Sequence, residues 1–139
     1  MDGWFLGDTK LIQSVYIVNE RGETLAAVPI GEFQMDEVLF GGFLSAIQMY
    51  SQRLSGKDLK ELSLDNYRMI ISKSDRVFLV TIHDSKDKNA PELNTKLSKL
   101  VEGTLGEIIT DETIELIKTA ATEVSGGAER ATEWASKML

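Results

Sequence analysis

Three strand-length apolar runs in the middle of the chain, with only turn chemistry between them, narrow the fold more than anything else in this sequence. They are Leu59 to Leu64, Tyr67 to Lys73 and Val77 to His83, divided by Asp65-Asn66 and by Ser74-Asp75-Arg76. Dividers this short join antiparallel neighbours, because a parallel connection needs a dozen residues or more. A three-stranded meander is therefore expected. Upstream, Leu11 to Val18 is β-rich, Asn19-Glu20-Arg21-Gly22 carries the residues of a reverse turn, and Glu23 to Pro29 returns as a second strand. Pro29 cannot donate a ladder hydrogen bond, so that strand ends there or lies on an edge.

Between hairpin and meander the apolar period changes. From Asp36 to about Leu54, the residues Leu39, Phe43, Ala46, Ile47, Tyr50 and Leu54 recur at three- and four-residue spacing, which predicts an amphipathic helix of about five turns. Ser55-Gly56-Lys57-Asp58 stops it. After a polar loop, Pro91 suits the start of a second helix with a buried stripe of Leu93, Leu97, Leu100 and Val101, ended by Gly103 and Gly106. Thr110-Asp111 caps a third, with Ile114, Ile117, Ala121 and Val124 as its apolar positions. The expected architecture is α+β: a five-stranded antiparallel sheet with helices on its faces, in the order β-β-α-β-β-β-α-α. Residues 1–10 form a lead, 11–124 the domain, and 125–139 a hinge at Ser125-Gly126-Gly127 followed by a short amphipathic helix with Trp134 and Met138 on one side.

Composition removes several function classes. With 139 residues the chain makes one domain large enough to hold a core without a staple. It has no Cys and one His, His83, which excludes thiolate nucleophiles and zinc fingers. Fifteen basic against 22 acidic residues leave a net charge of −7, unsuited to gripping nucleic-acid phosphates. No apolar run approaches the roughly 20 residues of a bilayer span. The start lacks a basic region and an apolar stretch, so it does not read as a secretory signal, and Gly3 stands one place late for myristoylation. The expectation is a cytoplasmic protein without cofactor or metal and without direct membrane insertion, recruited to membranes, where it is recruited, through a partner.

The chemical motifs are weak. Ser55-Gly56-Lys57 lacks the glycine a phosphate-binding loop requires at position 51, which is Ser51, and precedes a strand instead of a helix. His83, with Asp84 and Asp87 near, could be drawn as an oriented general base, but no nucleophile is indicated; a strand-end His bonded to its own loop is the simpler reading. Asp111, Glu112 and Glu115 could be drawn as a metal site, yet acidic residues in a first turn already have a role at the positive helix end.

The first helix carries more. Met35, Val38 and Met49 extend its apolar arc on one side and Phe40 on the other, to roughly 200°, against the somewhat more than 100° needed to cover a sheet. Gly41-Gly42 sits in mid-helix at about 1 kcal/mol per glycine, which suggests close approach by another backbone. Either the chain's own ends cover the surplus or a partner does. The candidate contact residues are Val38, Phe40, Gly41, Gly42, Leu44, Gln48 and Met49, with Trp134 and Met138 of the tail.

Three segments together resemble the longin and roadblock superfamily: Val38-Leu39-Phe40-Gly41-Gly42-Phe43-Leu44-Ser45-Ala46-Ile47, Leu62 to Ile71, and Val77 to Asp84, preceded by the hairpin Ile17-Val18-Asn19-Glu20-Arg21-Gly22. The likeness covers about residues 11–124, and its motifs describe a fold and a dimer surface. The hairpin-first order favours the longin-like arrangement over the roadblock one, which usually begins with an extra helix. The resemblance implies a non-enzymatic platform that forms a homo- or heterodimer with a like chain and scaffolds or regulates a small Ras-like GTPase, in trafficking or polarity. No residue matches a GTPase-contact motif. The alternative is a profilin-like or PAS-like sensor of a small ligand, which needs a pocket of several hundred Å³; an enzyme built on His83 and Asp84 comes third.

Overall fold

The structure is a computed structural model that describes residues 11–102 and 109–125. Strands β1 (Ile12–Asn19) and β2 (Thr24–Pro29) form the hairpin, helix α1 (Glu37–Ser55) follows, and β3 (Glu61–Leu64), β4 (Tyr67–Ser74) and β5 (Val77–Asp84) form the meander. Helices α2 (Ala90–Glu102) and α3 (Asp111–Ser125) complete the order β-β-α-β-β-β-α-α. All pairings are antiparallel and the sheet runs β2-β1-β5-β4-β3. The hairpin and the meander thus join through β1 and β5, both buried along their length, and among the described residues β2 and β3 are the outer strands. Pro29 ends β2, one of these outer strands, as its missing N–H requires.

Side-chain alternation divides the core into two layers. Tyr16 and Val18 of β1, Met69 and Ile71 of β4, and Phe78, Val80 and Ile82 of β5 meet Phe40 and Leu44 of α1. On the opposite face Val15, Ile17, Val77 and Leu79 meet Leu93, Leu97 and Val101 of α2 and Ile117 and Ala121 of α3. The register of β1 against β5 shifts between Ile12 and Ser14. That bulge returns Ile12 to the face of Val15 and Ile17.

Local chemistry agrees with the element ends. Asn19 Oδ1 accepts from the backbone N–H groups of Arg21 and Glu23 at 2.9 and 3.0 Å, and Gly22 takes φ 84°, so the β1–β2 turn is closed by its own side chain. Asp36 caps α1 by accepting from Leu39 N–H at 3.1 Å, and Gly56, at φ 74°, ends it by donating to the Gln52 carbonyl at 2.8 Å. Thr110 Oγ1 accepts from Thr113 N–H at 3.2 Å at the start of α3.

Three expectations change. The strand read from Leu59 begins at Glu61, because the backbone of Leu59 bonds to Gln48 instead of to a strand. The buried stripe of α1 is Phe40, Gly41, Leu44 and Gln48; of the stripe read from spacing, Phe43 and Ile47 pack half-buried on the same core layer, whereas Leu39, Ala46, Tyr50 and Leu54 are exposed, so the helix is rotated from the expected orientation. Helix α3 continues through Ser125, one residue into the expected hinge. The lead of residues 1–10, Gly103 and Gly106, and the tail with Gly126, Gly127, Trp134 and Met138 lie outside the described residues.

Candidate interaction surface

Helix α1 settles on the sheet through its smallest residue. A Cβ built on Gly41 would run into the carbonyl oxygen of Gly22 in the β1–β2 turn and come within 3.0 Å of Thr24 Oγ1. Thr24 Oγ1 also donates to the Glu37 carbonyl at 2.6 Å. Phe40, next to Gly41, stacks on Tyr16 with ring centroids 3.9 Å apart and planes 14° from parallel. Further along the helix, the Gln48 carboxamide behaves as a strand partner: it donates to the Leu59 carbonyl at 3.0 Å and accepts from Leu59 N–H at 2.7 Å. Steric fit at Gly41 and this pair of amide bonds fix the rotation of α1, and simple apolar counting could not see either.

The same rotation leaves a broad apolar face outside. Val38 is 80% exposed, Leu39 66%, Met49 57%, Tyr50 67% and Leu54 71%. Gly42 lies among them, exposed, and a Cβ on it would meet nothing within 4 Å. Ala46, also exposed, stands one turn from Gly42. Of the contact residues read from the sequence, Val38, Gly42 and Met49 are therefore at the surface, whereas Phe40, Gly41, Leu44 and Gln48 are inside the chain's own fold. Leu39, Tyr50 and Leu54, assigned by spacing to the buried stripe, are the largest apolar groups the face presents.

His83 is fully buried. Its Nδ1 lies 2.8 Å from Asp87 Oδ2 and its Nε2 2.7 Å from Thr81 Oγ1. Nδ1 donates to the ionised Asp87 carboxylate, and Nε2 is bonded to the Thr81 hydroxyl, whose oxygen also accepts from Asn94 Nδ2 at 3.0 Å. Burial pushes the Asp87 carboxyl up, but the hydrogen bonds from His83 and from Asn89 N–H, with the charges of His83 and Arg68, outweigh it and hold its pKa below the ordinary 3.8. Asp87, rather than the adjacent Asp84, orients the ring. Both imidazole nitrogens are engaged inside the fold, so the arrangement ties the β5–α2 loop to the sheet and offers no nitrogen to a substrate. Asp111 and Glu112 occupy the first turn of α3, and no group of three His, Cys, Asp or Glu among the described residues is placed to hold a metal ion.

Neither a protein-family profile nor a curated protein sequence matches the chain. Solved structures do match in fold. The gliding protein MglB of Thermus thermophilus superposes with a TM-score of 0.50 at 12% identity, over 84% of this chain and 82% of that one. The Roadblock/LC7 domain of Streptomyces avermitilis gives 0.49 at 16% identity, over 67% and 84%, and MglB of Myxococcus xanthus 0.46 at 19%, over 66% and 85%. At such identities the likeness is one of architecture. The fold is of the longin/roadblock type, a five-stranded antiparallel sheet with helices on its faces.

Proposed function

We propose that this chain is a non-enzymatic interaction module of the cytoplasm that dimerises through the outer face of α1 and scaffolds or regulates a small Ras-like GTPase. The observation that carries the reading is the exposed run of Val38, Leu39, Met49, Tyr50 and Leu54 on one side of a single helix. Monomers seldom leave a contiguous apolar patch of more than a few hundred Å² in water, and fully burying each such side chain is worth about 1.5–3 kcal/mol. A second like chain suits this face. Around a two-fold axis the same patch meets itself, and Gly42 and Ala46 leave room for two helix backbones to come close. The longin/roadblock architecture supports the wider role, since the resemblance of the α1 and meander segments implies a platform that dimerises and engages Ras-like GTPases, in trafficking or polarity.

Sedimentation equilibrium of the full chain at micromolar concentration, followed by direct binding to purified Ras-like GTPases of the same cell in both nucleotide states, tests this. We expect a dimer for the native chain, a monomer of unchanged melting temperature for Leu39→Glu/Met49→Glu, and binding of at least one GTPase in one nucleotide state. A native chain that stays monomeric, or a complete GTPase set that fails to bind the dimer, overturns the corresponding half of the reading.

A further inference from the structure

Two α1 helices that meet through their outer faces can run parallel or antiparallel, and the residues on that face are not neutral between the two. Projected at about 100° per residue, Val38, Leu39, Gly42, Ala46, Met49 and Tyr50 lie within an arc of about 120°, opposite the buried Phe40, Gly41, Leu44 and Gln48. Their spacing reads the same from either end, because 38, 39 and 42 stand as far before position 44 as 50, 49 and 46 stand after it. A two-fold axis at that midpoint, perpendicular to the helix, sets Val38 against Tyr50 of the second copy, Leu39 against Met49 and Gly42 against Ala46. The two smallest residues then meet at the crossing, where packed helix axes approach to about 8–10 Å, and the large ones close over it on both sides.

One charge interrupts this apolar face. Arg53 is exposed, falls on the midline of the arc and stands one turn beyond Met49. Arg21, Arg68 and Lys73 each pair with a carboxylate of their own chain, whereas Arg53 has no acidic partner among the described residues. Asp36 and Glu37 are exposed at the other end of the helix, and neither has a basic partner among the described residues. An acidic start and a basic end also suit the helix's own dipole, but the dipole does not account for an arginine in the middle of an apolar face. In a parallel pair Arg53 faces Arg53 and the carboxylates face one another, so like charges meet at both ends of the contact. In an antiparallel pair about the same midpoint, Arg53 comes level with position 35 of the second copy, beside Asp36 and Glu37, and the two-fold axis repeats the contact at the other end.

Building on the dimer put forward above, we propose that its two α1 helices run antiparallel, cross between Gly42 and Ala46, and are oriented by Arg53 of each copy binding the Asp36–Glu37 end of the other. The apolar residues supply contact area that has little direction of its own, and the charges supply the direction, because like-charge juxtaposition penalises the wrong arrangement. The partner this face fits is a helix with the same symmetric apolar spacing and an acidic first turn, which a second copy of the chain provides.

The chain has no Cys, so introduced cysteines report the orientation without background. Full-length Leu39→Cys and Met49→Cys chains are mixed in equal amounts, at a concentration where sedimentation shows the dimer, and mildly oxidised. A disulfide joining the two different variants is expected. None is expected between two Leu39→Cys chains, whose substituted positions then lie about 15 Å apart along the helix axis, beyond the roughly 7 Å between Cα atoms that a disulfide spans. Arg53→Glu is expected to weaken dimerisation about tenfold, with the melting temperature unchanged in dilute, monomeric solution. A disulfide between two Leu39→Cys chains, or none between the mixed variants in a dimeric sample, overturns the orientation and leaves the dimer standing, whereas a native chain that sediments as a monomer overturns both. Should a cysteine variant fail to dimerise, Arg53→Glu still decides, since an unchanged dissociation constant removes Arg53 from the contact and overturns the proposal.

Discussion

The Gly22 carbonyl oxygen of the β1–β2 turn lies where the side chain of Gly41 in α1 would begin. This contact, and not the pattern of large apolar residues, sets which side of α1 meets the sheet. It also separates two adjacent glycines that look alike in sequence. Gly41 is buried against the turn, whereas a Cβ on Gly42 enters open space.

The two positions should therefore respond oppositely to alanine. Gly41→Ala forces the helix away from the turn and is expected to destabilise the fold by about 1–3 kcal/mol, as overpacking does. Gly42→Ala is expected to stabilise the monomer by up to about 1 kcal/mol through helix propensity. Urea denaturation of the two variants gives both numbers. A tolerated Gly41→Ala would mean that α1 is not seated on the turn at all.

Gln48 gives a second test of the seating. Replacing it with Met puts a more apolar side chain at a buried position, yet Leu59 then loses the partners of both its N–H and its carbonyl. A loss of about 1–3 kcal/mol is expected from the unpaired backbone groups, with the segment before β3 the first to gain amide exchange. A gain in stability for Gln48→Met would show that the carboxamide is dispensable.

The His83–Asp87 pair predicts how stability responds to acid. The folded state lowers the Asp87 pKa below 3.8, so the unfolded chain takes up this proton first as the pH falls. The contribution is fully present above the ordinary carboxylate range and disappears as the pH drops through the folded-state value. Asp87→Asn should be less stable than the native chain at pH 7, and the gap should narrow below about pH 4. Denaturation series from pH 7 to pH 3 on both proteins check this; a gap that is constant with pH would remove Asp87 from the acid response.

These cases show which parts of the molecule were legible in the sequence. The elements and their order followed from period and turn chemistry, because strands such as Val77–Asp84 and turns such as Asn19-Glu20-Arg21-Gly22 state their geometry locally. The rotation of α1 did not, because it depends on a glycine meeting a carbonyl 19 positions away and on Gln48 standing in for a strand. A surplus of apolar residues on α1 was readable, but only part of its membership was: Val38 and Met49 are exposed as read, whereas Phe40 is buried and Leu39, Tyr50 and Leu54, which spacing assigned to the interior, are exposed. The path of the chain from β2 to α1 was illegible for a related reason: it is held by Gln13, whose bulge and whose bonds to residues 30–33 have no local signature.

Among the described residues, both core layers are built from side chains between Ile12 and Ala121, which bears on the tail. A chain ending at Ser125 is expected to keep a single cooperative melting transition, while a chain ending at Glu102 should lose it, because Ile117 and Ala121 then no longer cover Val15 and Ile17. Calorimetry on the two truncations separates the cases. Loss of cooperativity in the longer one would place residues 126–139 within the folding unit.

Charge decides the last prediction. Anionic lipid attracts clustered basic residues at about 1 kcal/mol each near the surface. The densest basic stretch here contributes Lys86, Lys88, Lys96 and Lys99, all exposed. Glu92 is exposed among them and the chain as a whole carries −7, while Arg68 is engaged with Glu61 Oε2 at 3.0 Å and the Asp87 carbonyl at 2.8 Å. No described helix is long and apolar enough to cross a membrane. The isolated protein is therefore expected to stay in the supernatant with anionic liposomes at physiological salt, and to co-sediment once a lipid-anchored partner GTPase is present on them. Salt-sensitive sedimentation without a partner would identify the four lysines as a lipid contact and overturn recruitment through protein.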